Sequence, residues 1–323
     1  MARFIGNTVM RHQLHGFFLL LSLCTTICGD SLLFGESAPS PSEGPSNLTY
    51  HSTVSEVRLV FFATDEHNHA VEGLRKDDFA VVDDEMVIRD FRSFSQSDSI
   101  KLDVILLIDS SESVLPQFQQ EITDVLQLIS RSPWNAEDKV SAVSFSGTAA
   151  HVICTVDCRS SFTADQVASL PKGGATPMFD ALEIATNSLM QRRQPEVWPV
   201  IVLFSDGADT TSRASFHEML EKILASDVRI YAIDVGTPGH PSNGTATLQR
   251  LADDSGGRRV PMSEGAVRIF SDVIDDLHSA RVVTYVPPES GSEFHSVRIL
   301  PTHNLKLQFR CRRGYYSHLD SAH

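Results

Sequence analysis

Positive charge is scarce in this chain of 323 residues, which has 27 lysine and arginine side chains against 41 aspartate and glutamate side chains. The formal net charge of −14 argues against general nucleic-acid binding, because that function needs a basic surface to neutralise phosphates. It also argues against docking on an anionic lipid surface. We therefore expect no nucleic-acid partner, and membrane contact only through an N-terminal anchor.

A long apolar run is missing as well. The segment GFFLLLSLCTTIC, residues 16–28, is shorter than the ~20 residues that a transmembrane helix needs. It follows Arg3 and Arg11, and this order is typical of a signal peptide. We predict a signal peptide over residues 1–29 and an exported protein, which is periplasmic, secreted or at the cell surface. An uncleaved N-terminal anchor is the alternative.

Cysteine is rare too, with five in the whole chain. Cys24 and Cys28 lie in the predicted signal peptide, which leaves Cys154, Cys158 and Cys311. A zinc site needs more ligands than one C-x-x-x-C motif supplies. The pair Cys154 and Cys158 is compatible with a small disulfide in an oxidising compartment or with buried free thiols.

Composition divides the rest of the chain into four parts. Residues 30–53 are a linker rich in proline and serine. Residues 54–98 and 282–318 each have the pattern of only two or three strands, too few for an independent domain. We therefore predict that these two flanks pair with each other in a small β-sandwich, and that residues 99–281 form a domain inserted between them.

Residues 99–281 alternate between β and α patterns. Continuous apolar runs such as LDVILLID (102–109) and PVIVLFSD (199–206) are typical of strands buried on both faces of a sheet. This alternation predicts an α/β domain with a doubly wound, mostly parallel sheet. Further strands are expected at 139–146, 149–156 and 229–236. Helices are expected near 115–129, 164–170, 177–192, 215–226, 245–254 and 266–279.

Three polar loops of this domain are candidates for chemistry: DSSES (109–113), GGATPMFDAL (173–182) and FSDGADTT (204–211). In an open α/β sheet, ligands bind beyond the carboxyl ends of the strands, where these loops are expected to meet. Their oxygen atoms suit Mg²⁺, Mn²⁺ or Ca²⁺ rather than zinc. The candidate metal ligands are Asp109, Ser111, Ser113, Thr176 and Asp206.

The spacing of the first loop favours such a site. Alternate residues of an extended turn point the same way, so the hydroxyls of Ser111 and Ser113 are expected to converge on one cation. Two hydroxyls bring no charge, and Asp109 and Asp206 would balance the cation through bound water. A site of this kind stays electrophilic and favours an acidic oxygen from a partner.

Simpler interpretations exist for each segment. Ser113 fits a helix cap, Thr176 and Pro177 fit the start of a helix, and Asp206 fits a plain turn. Two other functions also remain open. One is a phosphohydrolase or phosphotransferase that uses Asp109 as its nucleophile. The other is a structural module with a vestigial metal site.

The order of D-x-S-x-S (109–113), GG-x-T-P (173–177) and SDG (205–207) resembles that of von Willebrand factor A-type (VWA) domains. The resemblance covers about residues 100–280. The segments GLRKDDFAVVDDE and RCRRGYYS resemble the flanks of a bacterial exported subgroup. What the family implies is binding of a protein ligand without turnover, in which an exposed Asp or Glu of the partner reaches a divalent cation.

In that family the motif positions form a metal-ion-dependent adhesion site. The resemblance implies that Ser111 and Ser113 bind the cation directly and that Thr176 binds it directly or through water. It implies that Asp109 and Asp206 act mostly through water.

Overall fold

A computed structural model describes residues 56–316, with gaps at 68, 97–100, 115–121, 124–125, 127–128, 131–133, 135, 156–157, 159–164, 167–168, 237–242, 263–265 and 290–292. The predicted signal peptide and the predicted linker lie outside the described residues. The helices predicted near 115–129 and 164–170 fall partly outside them.

The strands follow one another along the chain as β1 (Val57–Thr64), β2 (Phe79–Asp83), β3 (Met86–Ile88), β4 (Ser93–Gln96), β5 (Lys101–Asp109), β6 (Lys139–Ser146), β7 (Ala149–Cys154), β8 (Val197–Ser205), β9 (Arg229–Asp234), β10 (Arg258–Pro261), β11 (Arg281–Tyr285), β12 (Phe294–Pro301), β13 (Gln308–Cys311) and β14 (Gly314–Tyr316). The helices are α1 (Met178–Gln191), α2 (Phe216–Ser226), α3 (Asn243–Ser255) and α4 (Ala266–His278). Among the described residues, no helix combines the length and the apolar character that a bilayer crossing demands.

The central sheet has the strand order β10-β9-β8-β5-β6-β7, and its neighbouring strands are parallel except for β7, which runs antiparallel to β6. The prediction of a doubly wound, mostly parallel sheet is therefore confirmed. The apolar pattern of the sequence does not indicate β10, because its segment RRVP has no apolar run and ends in proline.

Side chains of β5 alternate between two core layers, one on each face of the central sheet. Leu106 and Ile108 lie in the layer that also contains Val273 of α4. Ile105 and Leu107 lie in the layer that contains buried side chains of α1, α2 and α3, among them Leu182, Ile223 and Leu251. A strand covered on both faces needs apolar residues at every position, which explains the uninterrupted apolar run.

The two flanks pair with each other in two four-stranded antiparallel sheets, β13-β1-β11-β4 and β14-β12-β2-β3. Phe61, Phe79 and Tyr285 belong to the core that these strands share. The predicted small sandwich is therefore confirmed. Gln96 at the end of β4 pairs with Arg281 at the start of β11. The inserted domain thus leaves and re-enters the sandwich on neighbouring strands.

Buried polar contacts join the sandwich to the inserted domain. The guanidinium of Arg310 in β13 donates hydrogen bonds of 2.6 Å to both carboxylate oxygens of Asp276 in α4. The hydroxyl of Tyr231 in β9 donates to the same carboxylate at 2.6 Å. The buried guanidinium of Arg229 lies 5.0 Å from the ring centre of Trp198 and donates to the carbonyl of Val60 in β1.

Cys154, the last residue of β7, forms a disulfide with Cys158. Cys154 and Cys158 are bonded across a Cα–Cα distance of 5.7 Å, so the first of the two alternatives for this pair is the one present. Cys311 is a free thiol, and burial raises its pKa to about 11.

Candidate functional site

Polar residues end three neighbouring strands of the central sheet at the same edge. Asp109 ends β5, Ser205 ends β8 and Asp234 ends β9. These three residues end their strands at the same height in the sheet. Ile108 and Phe204, the residues before Asp109 and Ser205, lie opposite each other, and Ser205 lies opposite Asp234. The sheet therefore delivers the DSSES and SDG segments to one place, as the sequence predicts.

The DSSES loop turns back immediately after β5. The amide of Ser111 donates a 2.9 Å hydrogen bond to Oδ1 of Asp109, and the amide of Val114 donates to the carbonyl of Ser111 at 3.3 Å. The hydroxyls of Ser111 and Ser113 lie 3.0 Å apart. Ser111 is buried and Ser113 is exposed, so this pair of hydroxyls connects the sheet edge to the surface.

The carboxylate of Asp109 is fully buried, and both of its oxygens accept hydrogen bonds. Oδ1 accepts from the amide of Ser111, and Oδ2 accepts from the hydroxyl of Ser205 at 2.7 Å. Burial raises the pKa of Asp109 to about 6, and repulsion by the Asp206 carboxylate adds to this rise. The hydrogen bonds from Ser111 and Ser205 act in the opposite direction. Two carboxylates thus lie close enough to disfavour their joint ionisation.

Backbone hydrogen bonds connect the glycine loop to the DSSES loop. The amide of Gly173 donates to the carbonyl of Ser110 at 2.9 Å, and the amide of Glu112 donates to the carbonyl of Gly174 at 3.2 Å. Gly173 and Gly174 both have positive φ angles, of 88° and 83°. The left-handed conformation of these two glycines lets the loop follow the neighbouring loop closely.

Thr176 lies between the glycine loop and the loop after β8. Its amide donates to the hydroxyl of Thr210 at 2.8 Å, and its carbonyl accepts from the amide of Thr210 at 2.9 Å. Thr176 does not cap α1, because Pro177 occupies the cap position without a side-chain cap bond. The amide of Phe179 instead donates to the carboxylate of Asp209 at 3.1 Å. The backbone of Thr176 is therefore fixed from the loop that also carries Asp206.

Asp206 is half-buried and forms the turn that its sequence indicates, since its Oδ1 accepts the amide of Ala208 at 3.0 Å. Gly207 has a φ of 78°, and a Cβ there would come within 2.1 Å of the carbonyl oxygen of Gly244 in α3. The start of α3 therefore packs directly on this turn and fixes the position of Asp206. The interpretation of Ser113 as a helix cap depends on residues 115–121, which lie outside the described residues.

Sequence reasoning missed Ser205 and Asp234 at this edge. The signal for Ser205 was available, because it is a polar residue at the end of an otherwise apolar strand and precedes Asp206. Asp234 has the same pattern but a different role, since Arg259 forms a 2.8 Å ion pair with its carboxylate and neutralises it.

Comparison with known proteins agrees with this geometry. A family model described as the von Willebrand factor type A domain matches residues 103–272, just over half of the chain. The chain belongs to the VWA domain family.

Similar proteins cover only parts of the chain. The magnesium-chelatase 60 kDa subunit of Rhodobacter capsulatus is 32% identical over 159 residues, which are 46% of this chain and 28% of that protein. The corresponding subunit of Cereibacter sphaeroides is 27% identical over 158 residues, with the same coverage. The chain thus spans little more than a quarter of the length of these relatives. A solved structure of an aerotolerance-related membrane protein from Bacteroides fragilis matches at a TM-score of 0.43 and 16% identity, over 55% of this chain and 98% of that chain.

The residues at this edge of the VWA domain fit a hard divalent cation. Two adjacent hydroxyls and two neighbouring carboxylates form an all-oxygen donor set of the kind that Mg²⁺, Mn²⁺ and Ca²⁺ prefer. Within the described part of the chain, the ion pairs of lysine and arginine involve neither Asp109 nor Asp206. The negative charge of the pair is therefore available to a cation.

Proposed function

We propose that this chain is an exported protein-binding module whose VWA domain engages an acidic group of a protein partner through a divalent cation. The cation is Mg²⁺, or Mn²⁺ or Ca²⁺ in its place. The observation that carries the proposal is the junction of three loops at one sheet edge. Backbone hydrogen bonds hold the DSSES loop, the glycine loop and the SDG turn against one another.

The five predicted residues have different roles in this proposal. Ser111 and Ser113 bind the cation directly, because their hydroxyls lie side by side. Thr176 binds it directly or through water. Asp109 and Asp206 balance its charge mostly through bound water, since both oxygens of the buried Asp109 carboxylate already accept hydrogen bonds. A carboxylate oxygen of the partner takes a coordination position that faces solvent.

An enzymatic role for Asp109 is the competing function. A nucleophilic carboxylate needs an oxygen that can reach the substrate, whereas the Asp109 side chain is 0% exposed. Its hydrogen bonds to Ser111 and Ser205 would also have to break before attack. We therefore propose binding without turnover. Hydrolysis of a generic phosphate ester that is lost in Asp109→Asn would overturn this choice.

A groove beside the loop junction suits the rest of the partner's surface. A cavity of about 590 Å³ is lined by Gly147, Pro177, Ile184 and Arg213. The side chain of Ile184 is 56% exposed although it is large and apolar. We propose that the partner places an acidic residue at the cation and packs apolar atoms on Ile184.

Export is proposed from the N-terminal sequence pattern, and the disulfide supports it. Cys154 and Cys158 form their bond in a chain that otherwise has few cysteines. Structural disulfides persist mainly in oxidising compartments such as the periplasm or the cell exterior. The two curated relatives are named as subunits of magnesium chelatase, which is compatible with a module that binds other proteins.

Calorimetric titration of the full chain with Mg²⁺ and Mn²⁺ tests the metal site. We expect heat for one equivalent in the wild type and a strong loss of affinity in Ser113→Ala, since this exposed hydroxyl is a direct ligand in the proposal. Ser110→Ala is the matched control, because the Ser110 hydroxyl donates to the carbonyl of Phe145 and is not a proposed ligand.

Two results would contradict the proposal. One is a wild-type chain without metal-dependent heat, which would leave a structural VWA module with a vestigial site. The other is equal affinity in Ser113→Ala and Ser110→Ala. Partner binding is then tested by a pull-down from envelope proteins with and without chelator, in which the captured protein must lose binding in Ser113→Ala.

A further inference from the structure

A second group of metal-ligand side chains lies in the sandwich, away from the VWA loops. Asp83 ends β2, Asp84 begins the turn that follows, and His295 lies on the neighbouring strand β12. One ligand atom from each of the three side chains lies within 4.8 Å of the other two. Asp83 and His295 are buried, with exposed fractions of 0% and 3%.

The inner atoms of this group are in ion-pair contact. Nδ1 of His295 lies 2.8 Å from Oδ2 of Asp84 and 3.6 Å from Oδ1 of Asp83. Neither Nδ1 of His295 nor Oδ1 of Asp83 has a hydrogen-bond partner among the described residues, although both atoms are buried. A buried polar atom without a partner is costly, so each such atom calls for an explanation.

The remaining atoms of the same side chains are held by orienting groups. The hydroxyls of Tyr285 and Tyr315 each donate a 2.8 Å hydrogen bond to Oδ2 of Asp83. The amide of Ser296 donates to Oδ1 of Asp84 at 2.9 Å. The ring of Tyr315 stacks on the imidazole of His295, at 4.8 Å between ring centres and an angle of 3°.

One oxygen of each carboxylate is thus fixed from outside, while the other faces Nδ1 of His295. Metal sites have this arrangement, because outer groups orient each ligand while the inner atoms converge on the ion. A single proton on Nδ1 can serve only one of the two facing oxygens. A cation at the point of convergence would serve all three atoms.

We propose that Asp83, Asp84 and His295 bind a divalent transition-metal ion, with Zn²⁺ the best match. One imidazole nitrogen and two carboxylate oxygens suit zinc, whereas Mg²⁺ and Ca²⁺ prefer oxygen alone. Three protein ligands leave one position of a tetrahedral site for water. A cavity of about 390 Å³ is lined by His295 and Tyr315, and in this proposal the ion enters from it.

Such an ion would tie the N-terminal and C-terminal flanks of the VWA domain together. Asp83 and Asp84 come from the N-terminal flank, whereas His295, Tyr285 and Tyr315 come from the C-terminal flank. The unfolded chain keeps these residues far apart, so the metal binds the folded state and stabilises the sandwich that carries the VWA domain. This inference does not depend on the adhesion site, whose donors are oxygen only.

The test is calorimetric titration of chelator-stripped full chain with ZnCl₂, together with the visible absorption of its Co²⁺ form. Both are measured in a Ser113→Ala background, so that cation binding at the VWA loops is strongly weakened. We expect one equivalent of Zn²⁺ and Co²⁺ absorption bands typical of low coordination number. Asp84→Asn should lower the Zn²⁺ affinity by at least ~10-fold. Tyr285→Phe should lower it by roughly 10–100-fold, because the Tyr285 hydroxyl no longer orients the Asp83 carboxylate.

His217→Gln is the matched control, because His217 is an exposed histidine of α2 outside the group. Its Zn²⁺ affinity should equal that of the background chain. Asp84→Asn is chosen because its amide oxygen can still accept from Ser296, and a far-UV spectrum equal to that of the background shows that it folds. The proposal is overturned if the background chain binds no Zn²⁺, or if folded Asp84→Asn binds it with unchanged affinity.

Discussion

The hydroxyl of Ser205 at the end of β8 donates a 2.7 Å hydrogen bond to Oδ2 of Asp109 at the end of β5. The same Ser205 oxygen accepts the amide of Gly207 at 3.0 Å. One side chain therefore holds both the acidic residue of the DSSES loop and the turn that carries Asp206. The two halves of the proposed cation site are joined through a residue that is not itself a proposed ligand.

Replacing Ser205 with alanine should destabilise the protein and weaken cation binding. The change leaves a buried carboxylate oxygen and a buried amide without a partner, which costs roughly 1–3 kcal/mol per group. Urea unfolding measures the loss. Ser144→Ala is the control, because the fully buried Ser144 hydroxyl has no partner among the described residues and its removal should be nearly neutral. Equal losses in the two variants would contradict the role assigned to Ser205.

The stability of the metal-free protein should depend on the ionisation of Asp109. Burial raises its pKa from 3.8 to about 6, so the folded state binds more protons than the unfolded state between these values. The stability that this group contributes is present below pH 4 and is lost as the pH rises through 6. The shift corresponds to roughly 3 kcal/mol.

The measurement is the difference in unfolding free energy between the wild type and Asp109→Asn, in chelator, from pH 4 to pH 7. The asparagine variant should become more stable relative to the wild type as the pH rises, because the wild type then buries a charge and asparagine carries none. A constant difference across this range would show that Asp109 does not titrate as described. Added Mg²⁺ should stabilise the wild type more at pH 7 than at pH 5, since protons and cation compete.

The central domain could be predicted from the sequence because its strands are continuous apolar runs and its loops carry polar motifs in a fixed order. The position of Thr176 relative to α1 could not be predicted from the sequence, because the group that bonds to the start of this helix is Asp209 from another loop. Local capping rules consider only neighbours along the chain, whereas here a tertiary contact supplies the acceptor.

The Asp83, Asp84 and His295 group was beyond sequence reasoning for a similar reason. The N-terminal pair gives only the pattern of a hairpin turn, and His295 is one of thirteen histidines spread over the chain. Their proximity depends on the pairing of β2 with β12, which brings together residues more than 200 positions apart. Pairing of the flanks was predictable from their strand counts, but its register was not.

Gly207→Ala should be far more harmful than Gly147→Ala. Both glycines have positive φ angles, of 78° and 63°, so alanine is strained at either position by roughly 1–2 kcal/mol. A Cβ at Gly147 meets no atom within 4 Å, whereas one at Gly207 would come within 2.1 Å of the Gly244 carbonyl oxygen.

Relief of that clash must move the SDG turn away from α3 and displace Asp206. Thermal unfolding and Mg²⁺ titration of both variants measure the two effects. Gly207→Ala should lose both stability and Mg²⁺ affinity, while Gly147→Ala should lose a little stability and retain affinity. Similar behaviour of the two variants would show that the contact with α3 does not position the turn.

Arg310→Met tests the contact between the sandwich and the VWA domain. Arg310 donates to both oxygens of Asp276, and its guanidinium lies 4.1 Å from the ring centre of Phe62. The change leaves a nearly buried carboxylate that, among the described residues, keeps the hydroxyl of Tyr231 as its donor. Breaking a buried ion pair from one side costs roughly 3–5 kcal/mol, and the partial exposure of Arg310 places the expected loss at the lower end.

Arg313→Met is the matched control, because Arg313 forms a looser 3.5 Å ion pair with Asp254 and is more than half exposed. Surface pairs of this kind contribute roughly 0–1 kcal/mol. Urea unfolding should therefore separate the two variants by about 2 kcal/mol or more. If Arg310→Met unfolds in two steps while the wild type unfolds in one, the arginine couples the sandwich to the VWA domain. If both variants lose the same small amount of unfolding free energy, hydrophobic contacts such as those of Phe62 hold the sandwich and the VWA domain together instead.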